Sequence, residues 1–130
     1  MPHFHIDYSA NLETVVDFTD FCHVIRRAAL QTGVFPLAGI RVRATPCPHY
    51  TIADGAPEHG FIDLSVRLRE GRPLDTRKAA TAAVFEAARS YLAPVMARQP
   101  VALSMEMRNI DAALSPKTGS IRDFLQTDDT

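Results

Sequence analysis

The sequence predicts an α+β domain in which two β-α-β units in tandem form one four-stranded sheet, with both helices on one face. Four segments alternate between apolar and polar residues, as half-buried strands do. Two longer segments, one in each half, carry apolar residues at helical spacing. Each unit should pair its strands in parallel through a right-handed crossover. The halves span about 2–45 and 60–108, and with a short C-terminal extension they form a single domain over residues 1–130.

The strands are recognised by their alternation. In the first, residues 2–8, Phe4, Ile6 and Tyr8 face the core, and the residues between them face the other way. After the second strand, the segment 46–57 contains three prolines and a glycine, which predicts a loop or hairpin. The other three strands are predicted over Gly39–Thr45, Phe61–Arg69 and Val101–Arg108.

The first helix is predicted from Asn11 or Leu12 to Gln31. Gly33 is a suitable C-terminal stop, and Pro36 lies just beyond it. The inner face of this helix is predicted to carry Val15, Phe18, Cys22, Ile25, Ala29 and Leu30.

The second helix is predicted from Leu74 to about Ala97. The segment Gly71-Arg72-Pro73 opens it, since proline is tolerated in a first turn, and Pro94 is expected to kink or end it. A turn of helix over Ser120–Leu125 and an irregular tail, Asp128–Thr130, complete the chain.

The polar faces of the strands predict an assembly. Parallel sheets are normally covered on both faces, yet one face here collects charged and polar residues. We expect sheets from several subunits to meet there around an ion-paired interior, which makes the protein a homo-oligomer. The alternative is a solvated face on a monomer. The residues of this face are His3, His5, Asp7, Arg41, Arg43, Asp63, Ser65, Arg67, Glu106 and Arg108.

Composition excludes several classes of partner. A net charge of −1 over 130 residues argues against nucleic acid and against a polybasic membrane contact. No apolar run is long enough to cross a bilayer, and polar residues at positions 3, 5 and 7 interrupt any signal-peptide core. Cys22 and Cys47 lack metal or redox spacing, which indicates a reducing, cytoplasmic compartment.

Pro2 is the first candidate for chemistry. Removal of Met1 would leave a secondary amine at a strand end, and the pKa of an α-amino group, about 7.7–8.0, already lies near neutrality. Nearby cations or burial would lower that pKa and give a general base suited to pH 7. If Met1 is retained, the nitrogen is acylated and this role is lost. The alternative is an ordinary residue that blunts a sheet edge.

Arginines supply candidate anion sites. Arg72 directly precedes the second helix, whose N-terminus offers free N–H groups, and its guanidinium can bind a carboxylate through two hydrogen bonds. An exposed turn arginine is the alternative. Arg41 and Arg43 lie on the polar side of the second strand, where either is expected to pair with Asp7, Asp63 or Glu106.

No metal site is predicted. His3, His5 and Asp7 share one face of the first strand, but side chains at i, i+2 and i+4 spread over roughly 13 Å and cannot all reach one ion. His23, His49 and His59 have no partner spacing typical of catalysis.

Several segments together resemble the tautomerase superfamily, and within it the 5-carboxymethyl-2-hydroxymuconate Δ-isomerases of bacterial homoprotocatechuate degradation. The most specific is the run Phe35-Pro36-Leu37-Ala38-Gly39-Ile40-Arg41, within the longer segment 32–43. The others are 1–4 at the start of the chain, Ala53-Asp54-Gly55, the 71–77 segment around Gly-Arg-Pro, and 102–107.

The resemblance implies a trimer with helices outside and sheets facing inward. It also implies a cofactor-free isomerase that ketonises a 2-hydroxymuconate-type dienol, a small carboxylate substrate. The family's catalytic proline corresponds to Pro2, and its two functional arginines correspond to Arg41 and Arg72. Positions 14–23, the Pro46–Thr51 loop and the tail after Asn109 have no assigned counterpart.

Two other functions stay open at this point. A ferredoxin-like binding or interaction module has the same element order, but its neighbouring strands are antiparallel and Pro2 has no special role in it. Another proline-based activity of the superfamily, such as a decarboxylase, dehalogenase or broad tautomerase, would need an added water-activating residue.

Overall fold

The fold is a four-stranded mixed sheet covered on one face by two helices. A computed structural model describes residues 1–126, so the predicted irregular tail Asp128–Thr130 lies outside the described residues. Strand β1 (His3–Ser9), helix α1 (Phe18–Gln31) and strand β2 (Arg41–Cys47) form the first half. Strand β3 (Gly60–Arg69), helix α2 (Leu74–Met96) and strand β4 (Val101–Ile110) form the second.

The strand order is β2-β1-β3-β4. Strands β1 and β2 pair in parallel, as do β3 and β4, which confirms the arrangement predicted for each half. The halves join through β1 and β3, which are antiparallel. A sheet of two parallel pairs departs from the antiparallel neighbours of the ferredoxin-like alternative. Neither helix has an apolar stretch sufficient to cross a bilayer within residues 1–126.

Strand β2 is displaced from its prediction. It begins at Arg41 and extends through Pro46 to Cys47, whereas the sequence placed it at Gly39–Thr45 and put the proline in a loop. Because β2 is an edge strand, the N–H that proline lacks is not required by a second neighbour. Strand β4 likewise runs two residues past the predicted end at Arg108.

Helix α1 begins later than predicted. Residues Ala10–Thr14 form a 3-10 helix, and Asp17 caps α1 by accepting a 3.0 Å hydrogen bond from the N–H of Asp20. The Tyr8 ring stacks on Phe18 with centroids 3.5 Å apart, which holds the start of the helix against β1. Val15 therefore lies outside the helix and is 44% exposed, so its prediction as an inner-face residue was wrong.

The remaining helical predictions hold closely. Helix α1 ends before Gly33, which has a positive φ of 72°, and α2 ends two residues after Pro94. A 3-10 turn over Ile121–Phe124 takes the place of the predicted turn of helix at Ser120–Leu125.

The core lies between the sheet and the helices. Alternate residues of β1 and β3 are buried, and they pack with one side of each helix. Largest among the fully buried side chains are Phe4, Phe21, Ile6, Leu12, Ile25, Ile62, Leu64, Leu68 and Leu92. Because this core fixes β1 from both sides, it also fixes the residue that precedes it, Pro2.

Candidate functional site

Pro2 lies fully buried at the start of the interior strand β1. Its carbonyl oxygen accepts a 3.3 Å hydrogen bond from the N–H of Arg41, the first residue of β2. Gly39 packs directly on its ring: a Cβ at Gly39 would stand 3.1 Å from Pro2 Cδ. The parallel pairing of β1 with β2 therefore brings Pro2 and Arg41 together at one end of the sheet.

Arg41 presents an unused guanidinium at this end. Its Nη2 lies 3.4 Å from the Met1 sulfur, which is a weak acceptor. Its Nη1 is buried and has no hydrogen-bond partner within residues 1–126. The expected pairing of Arg41 with a carboxylate of the sheet was thus wrong. A buried donor left unpaired costs about 1–3 kcal/mol, more when charged, so a ligand that satisfies it is favoured.

A cavity of about 420 Å³ opens beside Met1 and Arg41. This volume lies within the usual range for small-molecule sites. One wall is the Pro36–Gly39 turn ahead of β2, and the other is the C-terminal segment 117–123. The lining residues are Met1, Pro36, Ala38, Gly39, Arg41, Lys117, Thr118, Gly119, Ile121, Arg122 and Asp123.

The electrostatic surroundings of the amino terminus are positive. The pKa of the Met1 amine is lowered from its ordinary value, first by burial and then by the charges of Lys117, Arg41 and Arg69. The pKa of the His3 imidazole is lowered too, by burial and by Arg67, Arg41 and others. These cations gather at one end of the sheet although the whole chain is nearly neutral.

Arg72 lies at the same end of the sheet but outside this cavity. Strand β3 ends at Arg69, beside the start of β1, and Gly71 turns the chain with a φ of 119°. The Nη1 of Arg72 donates to the carbonyl of Arg69 at 3.2 Å, and the carbonyl of Arg72 accepts from Arg77 Nε at 3.1 Å. Of the three predicted site residues, only Arg41 lines the cavity; Pro2 is buried against Gly39, which lines it, and Arg72 lies outside it.

Lys117 and the segment around it were missed by sequence analysis. This part of the chain has no periodicity and no motif. The topology did contain a signal: β4 pairs in parallel with β3, and β3 runs antiparallel to β1, so the chain must leave β4 at the end where β1 begins. Any residue soon after Ile110 was therefore a candidate neighbour of Pro2.

The exposed sheet face carries short polar contacts. Arg43 Nη1 lies 3.4 Å from His3 Nδ1, so this arginine also does not pair with the expected carboxylates. His5 Nε2 lies 3.3 Å from Asp7 Oδ1. Elsewhere on the face Ser104 donates to Asp63 and Arg108 pairs with Glu106. No group of three or more His, Cys, Asp or Glu residues in the described part of the chain could hold a metal ion.

The architecture is that of the tautomerase superfamily, which confirms the resemblance at the level of the fold. A structure described as "W0 fused 4-OT wild type symmetric trimer" superposes with a TM-score of 0.64 at 16% identity, over 89% of this chain and 93% of that one. At this identity the likeness concerns the fold alone.

Within that superfamily, the chain belongs to the 5-carboxymethyl-2-hydroxymuconate isomerase family, whose profile matches residues 2–125. A 5-carboxymethyl-2-hydroxymuconate Delta-isomerase from Escherichia coli is 29% identical over 121 residues, which are 93% of this chain and 96% of that protein. A crystal structure of a 5-carboxymethyl-2-hydroxymuconate delta-isomerase matches with a TM-score of 0.90 and 31% identity, over 100% of this chain and 96% of that one. The prediction of an isomerase is thereby confirmed.

Proposed function

We propose that this protein ketonises 5-carboxymethyl-2-hydroxymuconate, with the amine of a processed Pro2 as general base and acid. Arg41 and Arg72 bind substrate carboxylates or stabilise the developing dienolate oxygen. The protein acts as a cytoplasmic homotrimer in homoprotocatechuate degradation. The observation that carries the proposal is the buried Nη1 of Arg41, which lacks a partner within residues 1–126 and lies next to the amino terminus.

The reaction moves one proton and needs no external electrons. The Pro2 nitrogen takes the proton of the 2-hydroxyl, so that the O–H bond breaks and the conjugated system becomes a dienolate. The ammonium then delivers the proton to a carbon further along the chain, where a C–H bond forms as the ketone appears. Arg41 stabilises the oxygen on which negative charge develops, and such preorganised donors contribute a large share of catalysis.

The surroundings of the amino terminus suit a base at neutral pH. Burial and the cations Lys117, Arg41 and Arg69 lower the pKa of the amine that occupies this end of the sheet. The same groups surround Pro2, one residue further along, and disfavour its protonation for the same reason. Neutral amine is therefore available near pH 7, where acid–base catalysts work best.

Removal of Met1 has two consequences. It converts the amide nitrogen of Pro2 into a free secondary amine, and it takes away the Met1 sulfur that lies against Arg41 Nη2. The pyrrolidine ring is held by the hydrogen bond of its own carbonyl and by contact with Gly39, so its position does not depend on Met1.

The trimer and the role of Arg72 rest on the resemblance and on two observations. The polar sheet face is left open by the helices, which suits a buried inter-subunit surface. Arg72 lies near Arg69, whose charge contributes to the lowered pKa of the Met1 amine. A solution mass equal to one 14.3 kDa chain would refute the trimer. Full activity in Arg72→Met would remove that arginine from the mechanism.

The decisive experiment is ultraviolet-monitored ketonisation by chain that mass spectrometry shows to begin at Pro2, compared with chain that retains Met1. Turnover by the Pro2 form alone supports the proline base. Equal rates in both forms would reject it, and no turnover in either would reject the proposed activity.

Arg43→Met is a matched control for Arg41→Met. Both residues lie on the polar side of β2, but Arg43 is exposed and does not line the cavity. Loss of one transition-state donor typically lowers kcat about 10²–10³-fold, and we expect a loss of that order only in Arg41→Met. Equal effects of the two substitutions would show that general charge, not the position of Arg41, matters.

A further inference from the structure

The segment after β4 returns to the amino terminus and places a lysine there. Lys117 lines the cavity of about 420 Å³ beside Arg41. It also lines a second, small pocket that includes Met1, Arg69 and Ile110. Within residues 1–126, Met1 and Lys117 alone line both of these cavities, so Lys117 lies next to Met1.

The cavity holds more positive charge than its own residues neutralise. Arg41, Lys117 and Arg122 line it, against a single carboxylate, that of Asp123. None of the three cations forms a salt bridge within the part of the chain that the structure describes. A cavity of this kind suits a ligand with several negative charges.

The proposed substrate has three carboxylates: two at the ends of the muconate chain and one on the carboxymethyl branch. Arg41 and Arg72 account for two anionic groups at most. A third carboxylate that loses part of its hydration on binding is favoured by a cation of its own, because removing an unpaired charge from water is costly. Of the two remaining cations of the cavity, Lys117 and Arg122, Lys117 is the one that also lines the second pocket at Met1. A flexible ammonium suits a single carboxylate on a short branch.

We propose that Lys117 is a specificity-determining residue that binds the carboxymethyl carboxylate and so distinguishes a tricarboxylate from a dicarboxylate. The proposal rests on the proposed function for the identity of the substrate. The ammonium of Lys117 reaches the branch from the C-terminal wall of the cavity, while Arg41 binds from the β2 side.

The kinetic test compares 5-carboxymethyl-2-hydroxymuconate with 2-hydroxymuconate, which lacks the branch. Loss of a charge-assisted contact should raise KM for the tricarboxylate about tenfold or more in Lys117→Met, and leave KM for the dicarboxylate within about twofold. Lys117→Arg should recover most of the difference. The control is Lys78→Met, which removes the only other lysine of the chain, an exposed residue of α2. Equal rises for both substrates in Lys117→Met would overturn the proposal.

A binding measurement separates this inference from the proposed activity. Calorimetry with propane-1,2,3-tricarboxylate and with glutarate, its counterpart without the central carboxylate, needs no turnover. We expect wild-type protein to prefer the tricarboxylate and Lys117→Met to lose that preference. Equal binding of both acids by wild-type protein, or an unchanged preference in the variant, refutes the role of Lys117. Absence of ketonisation alone refutes only the proposed activity.

Discussion

Replacement of Gly39 by alanine tests whether catalysis depends on where the Pro2 ring lies. Gly39 is buried in the turn that leads into β2, and its φ does not lie in the left-handed region. Alanine is therefore compatible with the backbone, and the added methyl group is the whole perturbation. That methyl would meet Pro2 Cδ at 3.1 Å.

The displacement can be worked from this contact. Carbon atoms in ordinary contact are about 3.5–4.0 Å apart, so the Pro2 ring or the turn must give by roughly 0.4–0.9 Å. A misplacement of about 1 Å near reacting groups can cost about 10²-fold in rate, which scales logarithmically to a loss of about 6- to 60-fold here. The free energy of unfolding should fall by about 1 kcal/mol, at the low end for an overpacked site, because alanine also restricts the unfolded chain.

The assay is ketonisation by chain verified to begin at Pro2, together with denaturant unfolding. Gly119→Ala is the control: Gly119 lines the same cavity, but a Cβ there would have nothing within 4 Å. We expect kcat to fall in Gly39→Ala and to stay within about twofold of wild type in Gly119→Ala. Wild-type kcat in Gly39→Ala would refute the reasoning that the position of Pro2 sets the rate.

Three further predictions concern pH and packing. The pH profile of kcat/KM should rise with a midpoint below 8.0, because the groups that lower the pKa of the Met1 amine also surround Pro2; a profile with no ionisation between about 5 and 8 would contradict this. His3 has a lowered pKa, so the unfolded chain binds its proton more readily below about 6.5 and stability falls with acidification there. In His3→Gln, the urea midpoint of unfolding should fall less steeply as the pH is lowered. An unchanged dependence of the midpoint on pH would show that other groups cause the fall. Gly60→Ala, whose Cβ would stand 2.7 Å from Leu12 Cδ2, should lower the free energy of unfolding by about 1–3 kcal/mol, and an unchanged urea midpoint would show that Leu12 yields freely.

The sequence predicted best those elements in which buried residues recur at a regular spacing. In strand β3 every second residue is buried, and the residues between them are half-buried or exposed. The boundaries of β3 lie within one residue of the prediction. The start of α1 was missed because a 3-10 helix occupies Ala10–Thr14, although Asp17 followed by Asp20 is a recognisable capping pattern. The Asp17 cap fixes the first turn of α1 at Phe18, although apolar residues at helical spacing continue before it.

The candidate site was only partly predictable, because it is assembled from distant parts of the chain. Pro2 and Arg41 could be placed together, since parallel pairing of β1 with β2 follows from the β-α-β order. Lys117 could not be found from residue pattern, because its segment makes no regular structure and reaches Met1 only through the topology of the sheet. Whether Arg72 acts in the site stays a prediction.

The antiparallel contact between β1 and β3 gives the backbone an approximate twofold axis that the side chains do not obey. The axis passes between the middle residues of the two strands and maps the start of β1 onto the start of β3, at opposite ends of the sheet. Arg41 pairs with His3 at one end, whereas Val101 pairs with Gly60 at the other, where Leu12 fills the space above the glycine. The two ends of the duplicated frame thus differ: Arg41 lines a cavity at one end, whereas Leu12 packs on Gly60 at the other. Duplication of the backbone therefore does not duplicate the cluster of cations, because different residues surround the starts of β1 and β3.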